Sequence, residues 1–357
     1  MGTLRFLLAL AVLLYHLSGF ALFGLSLGDV MVRPIDGKPA VETFFIISGF
    51  AMAGALSTRY RDATFGRFYM SRVLRLYPAY LLLLAVEIVA AAVLWRSGLP
   101  QLADLWSAEP GQSLIDRLLW VTSNFLIVGK ELWFLGEHSS KQFVNPAWSL
   151  SIELQFYLLI PFLVRWPTRR LAVLFALAAG YRVLLFADLG YVPGTYFTLP
   201  WHLCLFLLGV LSYRLFGHWQ AAPFKAAIGP AVLVVLLTVL FPHHTEGDTR
   251  ADWLKVGYWM ALFFTLPLLS RLSEASRVDA FLGDLSYPIY LANLAILYTA
   301  VSVVPQSWAG APAIIAVVGS TVAIAVLVVV AVDRPMTLIR RELAARRQRL
   351  ASAVAPT

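Results

Sequence analysis

Arg5 and His16 stand eleven residues apart, and every residue between them is apolar or aromatic. They lie in one hydrophobic stretch, residues 4–27. A helix rises about 1.5 Å per residue, so that spacing separates them by roughly 16 Å. The hydrocarbon core of a bilayer is about 30 Å thick, which puts Arg5 at one surface and His16 near the midplane. An ionisable side chain at that depth is costly and marks a functional site. The competing reading is a neutral histidine hydrogen-bonded across a helix bundle. An imidazole titrates near working pH, as a general base must.

Three further groups carry chemistry. In the run from Asn145 to Tyr157, Ser149, Glu153 and Tyr157 recur every four residues and line one stripe of a helix. A carboxylate inside the hydrocarbon needs a partner or a proton, and an imidazole is a natural partner. A structural polar zipper is the alternative. Arg72 and Arg75 are three apart and share a helical face, from which two guanidiniums can clamp a phosphate. Plain orientation charge would give the same spacing. Glu42 falls at the outer end of the second apolar stretch, where a carboxylate can be solvated. Ser48 and Gly49 after it permit close helix approach.

The elements that must position these groups are all hydrophobic helices. Of 357 residues, 60% are hydrophobic and 13% charged, against about 25% charged in soluble domains. The chain reads as an all-α, polytopic membrane protein. The net charge of +8 does not point to nucleic acid, because the basic residues cluster between spans as orientation signals do. Cys204 is the only cysteine, which excludes an internal disulfide and a cysteine metal cluster. The first stretch is too long for a signal-peptide core and reads as retained.

Ten segments are long enough, or nearly so, to span: 4–27, 40–57, 76–95, 147–164, 171–187, 196–215, 226–242, 253–270, 281–303 and 312–332. The loop with Arg59, Arg61, Arg67, Arg72 and Arg75, the loop with Arg165, Arg169 and Arg170, and the tail from Arg334 to Arg349 share one phase. By the positive-inside rule they are cytoplasmic, and so are both termini. That phase holds only if 114–129 does not cross, so this segment is expected to be an interfacial or re-entrant helix. Residues 1–335 form the membrane domain and 336–357 a basic cytoplasmic tail.

In this setting the chain resembles the acyltransferase 3 family of integral-membrane acyltransferases. The resemblance rests on Arg5 with His16, on the Glu42-to-Phe50 run, on Arg72 with Arg75, and on Trp148-Ser149-Leu150 with Glu153. It continues through Leu282-Gly283-Asp284-Leu285-Ser286-Tyr287-Pro288-Ile289-Tyr290-Leu291 and Asp333-Arg334-Pro335. The blocks cover nearly the whole chain in the family's order. Asn293 stands where many relatives have a histidine, and Asp333 where they have a glutamate. An appended extracytoplasmic esterase-like domain, which some relatives carry, is not expected here.

The resemblance implies an enzyme of the plasma (inner) membrane that moves an acyl group from cytoplasmic acyl-CoA to a hydroxyl of a cell-envelope or exported carbohydrate. The acyl group is expected to be acetyl. In that scheme His16 is the general base, with Ser149 and Glu153 as further catalytic residues. Arg5, Arg72 and Arg75 hold CoA phosphates. Glu42, Trp148 and Tyr157 face the acceptor. Acyl-CoA is a co-substrate, membrane lipids are partners, and no metal is expected. His243 and His244, with Glu246 and Asp248, make a poor metal site, because adjacent histidines rarely chelate one ion. Alternative readings are acylation of a small glycosylated metabolite, a two-step route through Cys204 or Ser149, and a secondary transporter or flippase. The last lacks the inverted repeats expected of transporters.

Overall fold

The computed structural model describes residues 1–19, 37–61, 64–96, 114–134, 142–186, 194–221, 223–240, 249–274, 276–304 and 310–339. The described residues form helices and no strand. In chain order the α-helices are α1 (Gly2–Gly19), α2 (Gly37–Ser57), α3 (Phe65–Arg96), α4 (Leu114–Leu126), α5 (Trp148–Leu163) and α6 (Thr168–Phe186). They continue as α7 (Leu199–Phe216), α8 (Phe224–Leu240), α9 (Thr249–Glu274), α10 (Arg277–Val303) and α11 (Ala311–Val328). Helix therefore stands at each of the ten predicted segments, except that 20–27, 187 and 241–242 lie outside the described residues.

Five of these are long and apolar enough to cross a membrane: Gly37–Ser57, Phe65–Val93, Leu199–Trp219, Arg277–Val301 and Ala311–Ile339. Gly2–Leu17 is apolar but shorter. Large apolar side chains also point outward along several helices, among them Val86, Val89, Val93, Leu158, Val173 and Leu177. A contiguous apolar exterior is what lipid requires and water penalises. With its hydropathy this makes the chain a multi-pass membrane protein. The helix α4 has 13 residues, about 20 Å at the usual rise, which is short of the hydrocarbon thickness.

Two close crossings set the frame. Gly49 of α2 and Gly209 of α7 lie backbone to backbone. A Cβ on Gly49 would come within 2.0 Å of the Phe206 carbonyl oxygen, and one on Gly209 within 2.0 Å of the Ile46 oxygen. Small residues allow this approach in membranes, where packing drives association. The crossing brings Phe45 and Phe206 to 4.8 Å between ring centroids and lets Phe206 stack on Phe156 of α5 at 4.1 Å.

The second crossing joins α1 to α10. Asp279 accepts from the Gly2 N–H at 2.8 Å, the Thr3 N–H at 2.7 Å and the Thr3 hydroxyl at 2.7 Å. It satisfies donors that the first turn of α1 cannot pair internally. Ser276 caps α10 by accepting from the Asp279 N–H at 3.1 Å. His16 and Asn293 each stand fourteen residues beyond this clamp, on helices that run side by side. The clamp thereby fixes the register in which the two meet.

Candidate functional site

In the last turn of α1, His16 Nδ1 lies 2.7 Å from Asn293 Oδ1. The amide orientation follows from the other side of the same group. Asn293 Nδ2 donates to the Tyr290 carbonyl at 2.7 Å, and a carbonyl can only accept. The oxygen of the fully buried Asn293 therefore faces His16. His16 must donate from Nδ1, so in the neutral ring Nε2 carries the free lone pair. An amide cannot titrate, so the structural part of Asn293 is to choose the histidine tautomer.

One turn back on α10, the Tyr290 hydroxyl is 2.8 Å from Ser149 Oγ. Both hydroxyls lie 3.1 Å from the Pro146 carbonyl oxygen, which accepts from each. Pro146 belongs to a short 3-10 turn, Asn145–Ala147, that leads directly into α5. Ser149 thus sits in a buried hydroxyl cluster whose other member, Tyr290, stands one turn before Asn293 on α10.

Glu153, one turn further along α5, lies elsewhere. Its Oε1 accepts from Ser48 Oγ at 2.6 Å and from the Tyr157 hydroxyl at 2.5 Å. It is in electrostatic range of Arg5, with Arg75 and Asp284 in range of the same arginine. The hydrogen bond to His16 comes from Asn293, where the sequence had pointed to the carboxylate. Arg72 is buried, its guanidinium 5.4 Å from the Phe68 ring centroid and 5.9 Å from that of Tyr157, and its Nε has no hydrogen-bond partner. Asp284 faces Arg75, Arg5 and Arg334. Arg75, Asp284 and Arg334 are exposed, so this end is an open mouth. The structure brings Arg5, Arg72, Arg75, Glu153 and Tyr157 together, and Tyr157 lies here rather than beside Glu42 and Trp148, with which it was expected to face the acceptor.

Glu42 corrects a second expectation. It is buried, not solvated, and pairs with Arg182 Nη2 of α6 at 2.5 Å. Arg182 is itself held between the rings of Trp201 and Trp259, 5.0 and 4.9 Å away. Beside this pair Trp148 packs edge-on to Phe197 at 4.8 Å and against Tyr196 at 5.6 Å. His202 completes the aromatic group and donates from Nε2 to the Tyr196 carbonyl at 2.6 Å. No cluster of three or more potential metal ligands occurs among the described residues. His243, His244, Glu246 and Asp248 lie outside them.

A family model described as an acyltransferase domain matches residues 2–330. The chain belongs to the acyltransferase 3 family. Among the similar proteins, a Staphylococcus aureus (strain COL) protein provisionally named an O-acetyltransferase is 25% identical over 324 residues, which are 82% of this chain and 50% of that protein. O-acetyltransferase OatA of Staphylococcus aureus (strain NCTC 8325) is 23% identical over 327 residues, 82% of this chain and 49% of OatA. The chain spans about half the length of the curated relatives it matches. No solved structure matches it.

Sequence reasoning missed Arg182 and Asp279, and gave Tyr290 no role although the resemblance runs through it. Arg182 carried a signal, as an ionisable residue inside an apolar segment. The contacts of Tyr290 and Asp279 carried none, because their partners are more than a hundred residues away.

Proposed function

We propose that this protein is a membrane O-acyltransferase that passes an acyl group, acetyl in the first instance, from acyl-CoA to a carbohydrate hydroxyl. The observation that carries the reading is the pairing of His16 with Asn293 above a mouth lined by Arg5, Arg72 and Arg75. The topology proposed with it has ten crossings, with both termini and the arginine mouth on the cytoplasmic face of the plasma membrane and α4 lying in the interface.

In this mechanism the phosphates of CoA bind the arginine mouth and the thioester reaches the level of His16. The acceptor hydroxyl comes from the opposite side. His16 Nε2 takes its proton as the oxygen attacks the thioester carbonyl carbon. The C–S bond then breaks, and the imidazolium returns the proton to the departing CoA sulfur. Asn293 holds the tautomer throughout, since the Nδ1–H donates to its Oδ1 in both charge states of the ring. Ser149 and Tyr290 shape the carbonyl pocket, and Ser149 turns its hydroxyl toward the developing oxyanion. Glu153 balances the arginines, and Trp148 packs on the sugar.

The direct test is purified protein in lipid nanodiscs, given labelled acetyl-CoA and a panel of envelope glycans and glycosylated metabolites. Label in an ester on one class of acceptor supports the reading. Transport of a glycan in proteoliposomes without any need for acyl-CoA contradicts it.

A further inference from the structure

Away from the arginine mouth, the described residues contain a second buried polar network that the mechanism above does not use. Lys130 is fully buried in the short 3-10 helix Lys130–Phe134 that follows α4. Its ammonium donates to Asn124 Oδ1 at 2.8 Å, Gln142 Oε1 at 2.9 Å and the Phe143 carbonyl at 2.7 Å. Glu87 of α3 is in electrostatic range of Lys130 and accepts from the Val144 N–H at 2.6 Å. A carboxylate and an ammonium in apolar surroundings are costly unless partnered, and here Lys130 has three acceptors and Glu87 the Val144 N–H with the ammonium in range.

What the network holds is strained. Val144 has φ 46° and ψ 57°, in the left-handed region. Ile127, three residues before Lys130, has φ 66°. Both are buried. A β-branched residue with positive φ is a genuine outlier and persists only where its surroundings over-determine it. The strained backbone at Val144 turns the chain into Asn145–Ala147, closed by the Ala147 N–H on the Val144 carbonyl at 2.8 Å. Two residues past Val144 is the Pro146 carbonyl on which the Ser149 and Tyr290 hydroxyls converge. The same segment is tied to α5, where Gly129 N–H donates to Ser151 Oγ at 3.1 Å and Gln155 Nε2 donates to Glu131 at 2.6 Å.

We propose that Glu87 and Lys130 are positioning residues, which clamp Val144 in its left-handed conformation and so seat the Pro146 carbonyl beneath Ser149 and Tyr290. Without the Glu87 carboxylate, the valine relaxes toward negative φ, the turn opens and the start of α5 shifts. Glycine at the same place populates positive φ readily and needs no clamp. The proposal rests on the acyl-transfer reading for its kinetic arm only.

The test compares wild-type protein with Glu87→Ala, Glu87→Gln, Lys130→Met and the Glu87→Ala/Val144→Gly double variant, all in nanodiscs. With labelled acetyl-CoA, Glu87→Ala is expected to lose about ten-fold in kcat per folded molecule with KM for acetyl-CoA unchanged. The double variant should regain most of that loss, and Glu87→Gln, which keeps an acceptor for the Val144 N–H, should lose less. Hydrogen exchange at the Ala147 amide reads the turn without any substrate. It should speed up in Glu87→Ala and in Lys130→Met, and slow again in the double variant. If Glu87→Ala fails to fold, Glu87→Gln with and without Val144→Gly gives the same comparison. An unchanged Ala147 exchange in Glu87→Ala, or a loss that Val144→Gly does not restore, overturns the clamp. A wild-type protein with no transfer but with the expected exchange pattern defeats the proposed function and leaves the clamp standing.

Discussion

The two charged regions of this molecule solve opposite problems. At the aromatic end Glu42 and Arg182 form a closed pair, one carboxylate to one guanidinium, packed between indole rings. At the arginine end Arg5, Arg72, Arg75 and Arg334 gather around Glu153 and Asp284, so cations outnumber the acids among the described residues. A balanced, buried pair carries no net charge to offer an anion. An unbalanced and partly exposed group leaves charge for an anion, and Arg72 keeps a buried Nε unpartnered. Apart from both groups stands the His16–Asn293 pair, in which the imidazole meets an uncharged amide.

The sharpest way to break this contrast is at the closed pair. Glu42→Gln strands a buried guanidinium, and breaking such a pair by removing one partner costs about 3–5 kcal/mol. Its unfolding midpoint in detergent should fall steeply, while the KM for acetyl-CoA of the protein that folds stays put. A large rise in that KM would erase the distinction between the ends. At the arginine end the pattern reverses. Arg72→Gln should raise KM for acetyl-CoA about ten-fold or more, the scale of a charge-assisted hydrogen bond, with little change in unfolding. Arg72→Lys should not restore it, because a point charge cannot replace a fork. At the histidine, Asn293→Leu should lower kcat about ten-fold, through loss of the part-buried hydrogen bond that selects the tautomer. Smallest is Trp148→Phe, which keeps most of the packing against Phe197. It should raise the acceptor KM about three-fold and leave the acyl-CoA kinetics alone, the scale of a weakened aromatic contact.

Much of the fold was legible because hydropathy and length depend on neighbours in sequence. The segment 147–164 became α5 and 281–303 lies within α10 for that reason. Residues on one helix face were also legible: the four-residue step from Glu153 to Tyr157 is a real hydrogen bond. What could not be read was which helices touch. The solvated Glu42 of the sequence reading became a buried ion partner because α6 brings Arg182 against it, 140 residues on. Glu153 was assigned to His16 on chemistry alone, whereas the register set by Asp279 gives His16 to Asn293. The strain at Val144 is invisible in sequence, since nothing in its neighbours demands a positive φ. Residues 340–357, with most of the basic tail, lie outside the described structure.

The claim at the centre of this account is that Nε2 of His16 takes the acceptor proton. Single-turnover transfer of labelled acetyl from acetyl-CoA by His16→Ala protein in nanodiscs tests it most directly, with acetyl-CoA binding measured on the same sample. The account predicts a rate down by about 100-fold or more with donor binding intact. Transfer at the wild-type rate by that variant would contradict it.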